Sequence, residues 1–408
     1  MAWIKGVEPR GPMAIVWIAL ACSAGLPAQG EAGQYEQPPS FQASQVLPQD
    51  LLSSPNYTLN SSVGLENFQY VFHADTSWGP YVIKGSGLMQ VRAREMAATA
   101  ALANIDSAGT VVNAAGRTAL KPLATAKDLL TEPGKTIGDT FRGVGNVFNS
   151  AGATMSATDP HKEGIVASVT GGATARRKLA YDFGVDPNTS FPPLSEELTR
   201  LATANAIGET SANAGLAFVT GGAGIAISVG GTSRTLRLAL RDKTAAQLEK
   251  EGRRMLAEMG VSQAAIDAFY ANPHLSPTDK AIIAGALMDL GATSGREIFI
   301  QGAANAQTVE MAFFYRRQAE LIAVFNKKVS KVNGFERMGG APLLSTGKGT
   351  VSILPVDYLY WSPPVEALIG GAPRGQLWIT GRASQVATAQ LAARGWTVVP
   401  EAGSKLGE

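Results

Sequence analysis

The order of apolar and polar positions divides the chain into stretches of different period. Residues 70–74 (Tyr-Val-Phe-His-Ala) and 81–84 (Tyr-Val-Ile-Lys) are β-prone runs around the turn-rich segment 75–80, which predicts a β-hairpin. Met89, Ala93, Met96, Ala100 and Ala103 then share one helical stripe within residues 89–105, so a helix is expected to cover the hairpin's apolar face. Residues 119–150 read as two amphipathic helices broken near Glu132-Pro133-Gly134. The second carries Ile137, Phe141, Val144 and Phe148 opposite Lys135, Asp139, Arg142 and Asn146. Gly138, Gly143 and Gly145 weaken it in isolation, so it needs a partner surface, either the rest of the protein or a lipid interface.

From residue 195 the helical period is punctuated by local start and stop signals. Ser195, followed by Glu196 and Glu197, is expected to cap a helix through Leu198, Leu201 and Ala204. Thr244 opens another that Gly260 ends, and Ser262 opens a third. Ser276-Pro277-Thr278-Asp279 puts a capping hydroxyl, a first-turn proline and a carboxylate at the positive end of a helix that Gly291 closes. Residues 303–329 read as one long helix with a stripe at Met311, Phe314, Tyr315, Gln318, Ile322, Phe325 and Val329. Beyond it, residues 351–354, 358–361 and 376–380 are strand-like. A Ser384-capped helix follows, ending at Gly395 before the strand 396–399. Strand, helix and strand with short connections predict a parallel βαβ unit.

These elements give an α+β fold with a predominantly helical middle, an N-terminal hairpin and helix, and a small C-terminal βαβ-containing sheet. The expected division is residues 1–30 as an export signal, 31–66 as an extended Gln-, Pro- and Ser-containing linker, and 67–110 as hairpin plus helix. Residues 111–194 form a Gly-rich amphipathic segment, 195–330 a helical domain and 331–408 a small α/β unit. The export signal is read from Lys5 and Arg10 ahead of the apolar run 13–24, with small residues around Ala21, Ala28 and Ala32. That run falls short of the roughly twenty apolar residues a membrane-spanning helix requires. Cleavage is expected before Cys22 or before Glu31.

Composition adjusts this picture in three places. Cys22 is the only cysteine, so no internal disulfide can form and stability must come from packing. It would be a lipid attachment point only if it became the N-terminus, and Leu20 stands two rather than three residues before it. The net charge of +2, reduced by one when Lys5, Glu8 and Arg10 are removed, provides no field for phosphate backbones and argues against nucleic acid. The 45 glycines point to close helix packing or loops.

Motifs for known chemistry are incomplete. The segment Val219-Thr220-Gly221-Gly222-Ala223-Gly224-Ile225-Ala226-Ile227 looks like the Thr-Gly-rich cofactor loop of short-chain dehydrogenases. It has Ile225 and Ile227 where that family needs glycine, and none of the nine tyrosines has a lysine four residues on. No cofactor is therefore expected. Gly222, Ala226 and Gly230, in a stretch without charge from 210 to 233, suit a tightly packed helix pair or, alternatively, a conditional membrane hairpin. His73, His161 and His274 are too far apart for helical metal spacing, so no metal site is expected. Glu310, Arg317 and Glu320 share one helix and are expected on its solvent face. The concentration of Asp357, Tyr358, Tyr360, Trp361, Trp378 and Arg382 near the end makes these six the candidate binding residues. Stacked aromatics beside a carboxylate can grip a sugar ring or a peptide, and the alternative is that they form a core. No catalytic residue is identified.

The succession of hairpin, helix, Gly-rich pair and capped helical middle, with Leu354-Pro355-Val356-Asp357-Tyr358 and Ile379-Thr380-Gly381-Arg382, resembles a group of exported bacterial proteins without an assigned activity. The resemblance spans most of residues 56–400 and implies a bacterial envelope or secreted setting, with no catalytic residue to carry over. The leading expectation is an exported, periplasmic or extracellular, non-enzymatic interaction or structural protein whose partner is a protein or envelope component. The alternatives are a membrane-active protein making peripheral lipid contact, and an envelope glycan binder or hydrolase using the C-terminal aromatics.

Overall fold

Short strands with one buried face build the first layer. The computed structural model describes residues 35–105, 163–207, 234–339, 341–371 and 373–407. Strands β1 (Phe41–Gln42), β2 (Ser53–Ser54), β3 (Tyr57–Leu59), β4 (Ser62–Glu66), β5 (Gln69–Thr76) and β6 (Gly79–Lys84) form an antiparallel sheet, with helix α1 (Ala43–Val46) after β1. The centre is β5, which pairs with β6 along one edge and with β4 and β3 in succession along the other. Tyr70, Phe72 and Ala74 of β5 are buried while His73 and Asp75 are exposed, the two-residue period of a half-covered sheet. Helix α2 (Ser86–Ala103) packs Leu88, Met89, Met96 and Leu102 into the same core, and α3 (Glu163–Asp182) and α4 (Pro192–Ile207) complete it.

The linker expectation for 31–66 is corrected here, because residues 41–66 supply four strands. Their buried positions, Tyr57, Leu59 and Val63, alternate over runs too brief to register as a period. Helix α4 also begins at Pro192 rather than at Ser195. The Ser195 amide already donates to the Phe191 carbonyl, and its hydroxyl accepts from Arg176 Nη2 at 3.0 Å.

The second layer is helical: α5 (Arg234–Asp242), α6 (Ala245–Glu258), α7 (Gln263–Ala271), α8 (Pro277–Met288), α9 (Arg296–Ala304) and α10 (Val309–Lys328). Thr244, Ser262, Ser276 and Thr308 each accept a hydrogen bond from the third residue of the helix they cap. The Thr308 cap is why residues 303–329 are not one helix: α9 ends at Ala304 and a new first turn starts at Val309. Helix α8 runs through the middle, with Ala281, Ile282, Ile283, Ala284, Ala286 and Leu287 all buried. Small residues allow the close approach around it; a Cβ added at Gly252 of α6 would stand 1.9 Å from the Tyr270 hydroxyl.

The third layer is a mixed sheet in the order β13-β11-β9-β8-β7. Strands β7 (Val332–Met338), β8 (Ala341–Thr346) and β9 (Gly349–Leu354) form an antiparallel meander, and β11 (Gly375–Ile379) and β13 (Trp396–Val399) continue it in parallel. Strands β10 (Tyr358–Leu359) and β12 (Arg382–Ala383) pair separately, and helices α11 (Pro363–Ile369), α12 (Gln385–Ala393) and α13 (Ala402–Leu406) complete the unit. One face of the sheet, with Leu344, Val351, Ile353 and Trp378, joins the helical core. The other, with Leu343, Leu354, Leu377, Ile379 and Trp396, packs on Trp361, Val365 and Leu391. The fold is mixed α+β. The expected signal 1–30, the helices at 119–150 and the Gly-rich segment 215–231 lie outside the described residues.

Candidate functional site

Burial places Tyr358, Trp361 and Trp378 in three different cores, while the backbone sets Asp357 and Tyr358 beside Arg382: the Arg382 amide donates to the Asp357 carbonyl at 3.0 Å, and Tyr358 and Arg382 are partners in the β10–β12 pair. Asp357 is buried, and Tyr358 packs edge-on against Phe41 at 5.0 Å in the first core. Tyr360 meets Phe68 at 5.3 Å, and burial raises its phenol pKa. Trp361 is fully buried in the C-terminal core. Trp378 faces the other side of the sheet, where it packs on Phe325 at 5.2 Å while its indole nitrogen donates to Gln376 Oε1. Arg382 is exposed, and its guanidinium acts on the Tyr70 phenol, opposing the upward pKa shift that burial gives that group.

Asp357 joins the first and last units. Its Oδ2 accepts from the Tyr70 amide at 2.9 Å and the Ser86 amide at 3.0 Å, and its Oδ1 accepts from the Ser86 hydroxyl. Gly85, at φ +98°, precedes the first turn of α2 and offers no side-chain cap, so a carboxylate 271 residues further along the chain caps that helix. Negative charge at a helix N-terminus is the favourable placement. The backbone around it is equally close: the Asp357 and Tyr358 amides donate to the Phe68 carbonyl, and a Cβ at Gly381 would lie 1.9 Å from the Asp357 carbonyl oxygen.

A second buried polar junction was not recognised from the sequence. Arg316 on α10 reaches Asp279 Oδ1 and Glu320 Oε1, each at 3.4 Å, and Arg317 reaches Glu320 Oε2 at 2.6 Å. Glu320 is 1% exposed, which corrects its expected place on a solvent face: α10 is packed by α8 and by β9, so it lacks a continuous outer side. Beside it, Asp186, in the loop between α3 and α4, accepts from the Thr278 hydroxyl at 2.6 Å and the Asn188 amide at 2.8 Å. The Nη2 of Arg316 has no hydrogen-bond partner among the described residues. The signals in the sequence were Asp279 in a first turn and three charges within five residues at 316–320. Neither reveals which faces are covered.

Burial pushes the Asp186 carboxyl from its ordinary 3.8 up to about 6. Thr278, Arg316 and the Asn188 amide pull against this, and Asp279 adds to it. Arg176 also feels the Asp186 charge. The folded chain holds this proton more tightly than the unfolded chain does. The group's stabilising contribution is therefore complete below about pH 4 and is lost as pH rises through about 6. Asp186→Asn is expected to narrow the stability difference between pH 4 and pH 7.5 by on the order of 2–3 kcal/mol. Urea unfolding at the two pH values measures this, and an unchanged difference rules it out.

A shallow cleft beside this junction is lined by Arg177, Tyr181, Val185, Asp186, Pro187, Leu240 and Arg241. It has room for roughly one water, well short of the ~300 Å³ at which small-molecule pockets begin. Among the described residues no group of three or more His, Cys, Asp or Glu is placed to hold a metal ion. No helix among them is long and apolar enough to cross a membrane. His73 and His274 are exposed, on β5 and in the loop before α8. Compared with family models, with curated proteins and with solved structures, the chain matches none.

Proposed function

We propose that this is an exported bacterial protein that acts outside the cytoplasm as a non-enzymatic interaction or structural component of the cell envelope. The observation that carries the binding half is where the chemically capable side chains are placed. Asp357, Asp279 and Arg316 are buried and bonded across elements, and Glu320 is buried and paired with Arg316 within α10, which makes them joints of the fold. A glycan platform needs exposed ring faces, whereas Trp361, Trp378 and Trp396 sit in cores. Export is supported by Lys5 and Arg10 ahead of the apolar run 13–24. Expression of the full chain with a C-terminal tag in a Gram-negative host, followed by fractionation and N-terminal sequencing, is the test. A shortened species beginning at Cys22 or Glu31 in the periplasm or medium is expected. Recovery of only the intact N-terminus from the cytosol would refute export.

A further inference from the structure

The first described residues rest on the last unit. The Glu36 amide donates to the Trp361 carbonyl at 2.8 Å, and the Trp361 amide donates back to Glu36 Oε2 at 2.6 Å. The same carboxylate oxygen accepts from the Ser384 hydroxyl, while Ser384 Oγ accepts the Ala387 amide as the N-cap of α12. The Glu36 charge is thus held at the positive end of a nine-residue helix. The Tyr35 ring stacks on the Trp361 indole, with centroids 6.3 Å apart and planes 27° apart, and its phenol donates to Glu366 Oε2. Arg394 fixes that acceptor by donating to Glu366 Oε1 at 2.6 Å, and its guanidinium lies over the Trp361 ring at 4.5 Å. Ring, hydroxyl and carboxylate of the pair are therefore each read by a separate group.

Two observations set this pair apart from the cores. Tyr35 belongs to none of the three hydrophobic clusters and is 41% exposed. Only residues 37–40, Gln-Pro-Pro-Ser, connect the pair to β1, and two prolines hold such a spacer extended. Departure of the pair would uncover one face of the Trp361 ring, with Glu366 and the Ser384 hydroxyl beside it, without removing any member of the three clusters.

We infer that the C-terminal unit carries a peptide seat, built from Trp361, Glu366, Ser384 and Arg394, for a tyrosine followed by glutamate in an extended partner segment, and that Tyr35–Glu36 is its tethered competitor. This deepens the reading of the protein as a binding component and does not depend on export. A tether this short supplies an effective concentration of order millimolar. A partner must therefore present the pair with further contacts or meet a chain whose own pair has been released.

The test uses the full chain carrying Tyr35→Ala and Glu36→Ala, with a fluorescent synthetic peptide spanning residues 33–40. Saturable binding to this emptied chain is expected, at least about tenfold tighter than to the unaltered chain. Glutamine in place of the peptide's glutamate, and Ser384→Ala in the protein, should each weaken it at least about fivefold. Circular dichroism confirms that the emptied chain is folded, and if it is not, the single variant Glu36→Gln takes its place. Absent binding to a folded emptied chain, or equal binding of the glutamine peptide, overturns the seat. If the emptied chain is instead captured by the unaltered chain as a dimer in sedimentation, the occupant is a second copy and the partner proposal fails. Normal N-terminal processing without peptide binding would remove the seat alone, and peptide binding by an unprocessed cytosolic chain would remove export alone.

Discussion

Replacing Asp357 with alanine is expected to lower the unfolding free energy by about 3–5 kcal/mol, because it leaves one buried and one half-buried backbone donor unpaired at about 1–3 kcal/mol each and removes the helix cap. The donors are the amides of Tyr70 and Ser86, and the Ser86 hydroxyl loses its acceptor as well. Asp357→Asn retains one acceptor oxygen in place and should recover a substantial part of that loss. Urea unfolding of the two variants measures both effects. If alanine and asparagine destabilise equally and by less than about 1 kcal/mol, Asp357 does not brace α2. Hydrogen exchange adds a spatial check, since the first turn of α2 and the start of β5 should lose protection before the helical layer does.

Arg316→Met should be of comparable size, about 3–5 kcal/mol, because it strips the shared cation from carboxylates already out of water. Asp279 keeps the Ser276 amide and hydroxyl, and Glu320 keeps Arg317, so neither is left without any partner. What is lost is the charge between them, in a site where Asp186 is also buried. Glu320→Gln placed on the Arg316→Met background should restore part of the stability, since it removes one of the stranded charges. A double-mutant cycle read by denaturant unfolding tests this. Additive losses would mean that Arg316 and Glu320 do not act as a pair.

Both predictions concern residues whose role was hidden in the sequence to different degrees. Asp357 stood out because of the aromatics around it, and the expectation of a binding surface followed from their density alone. In the structure, Tyr358 turns to Phe41, Trp361 to the α11 and α12 side of the sheet, and Trp378 to Phe325 on the other side. Tyr358 lies on β10, Trp361 in the connection after it and Trp378 on β11, so closeness in sequence did not put their rings on one face. Glu320 misled for the converse reason. A helical period shows which residues share a face, and a helix packed by α8 and by a strand has more than one covered face. Tyr35 and Glu36 fell in a stretch with no period at all, and a segment held by two side chains has none to display.

The chain's own sequence determined whatever is decided within a few residues: the capping hydroxyls at Thr244, Ser262, Ser276 and Ser384, the turn between the β5 and β6 runs, and the succession of strand, helix and strand at the end. Each is a contest between a side chain and the nearby backbone, settled locally. Only the tertiary structure decided the joints. The carboxylate of Asp357 finds amides 271 and 287 residues away, and Glu36 meets Ser384 across 348. Pairings at such separations depend on the burial of all the intervening layers, which no local pattern encodes.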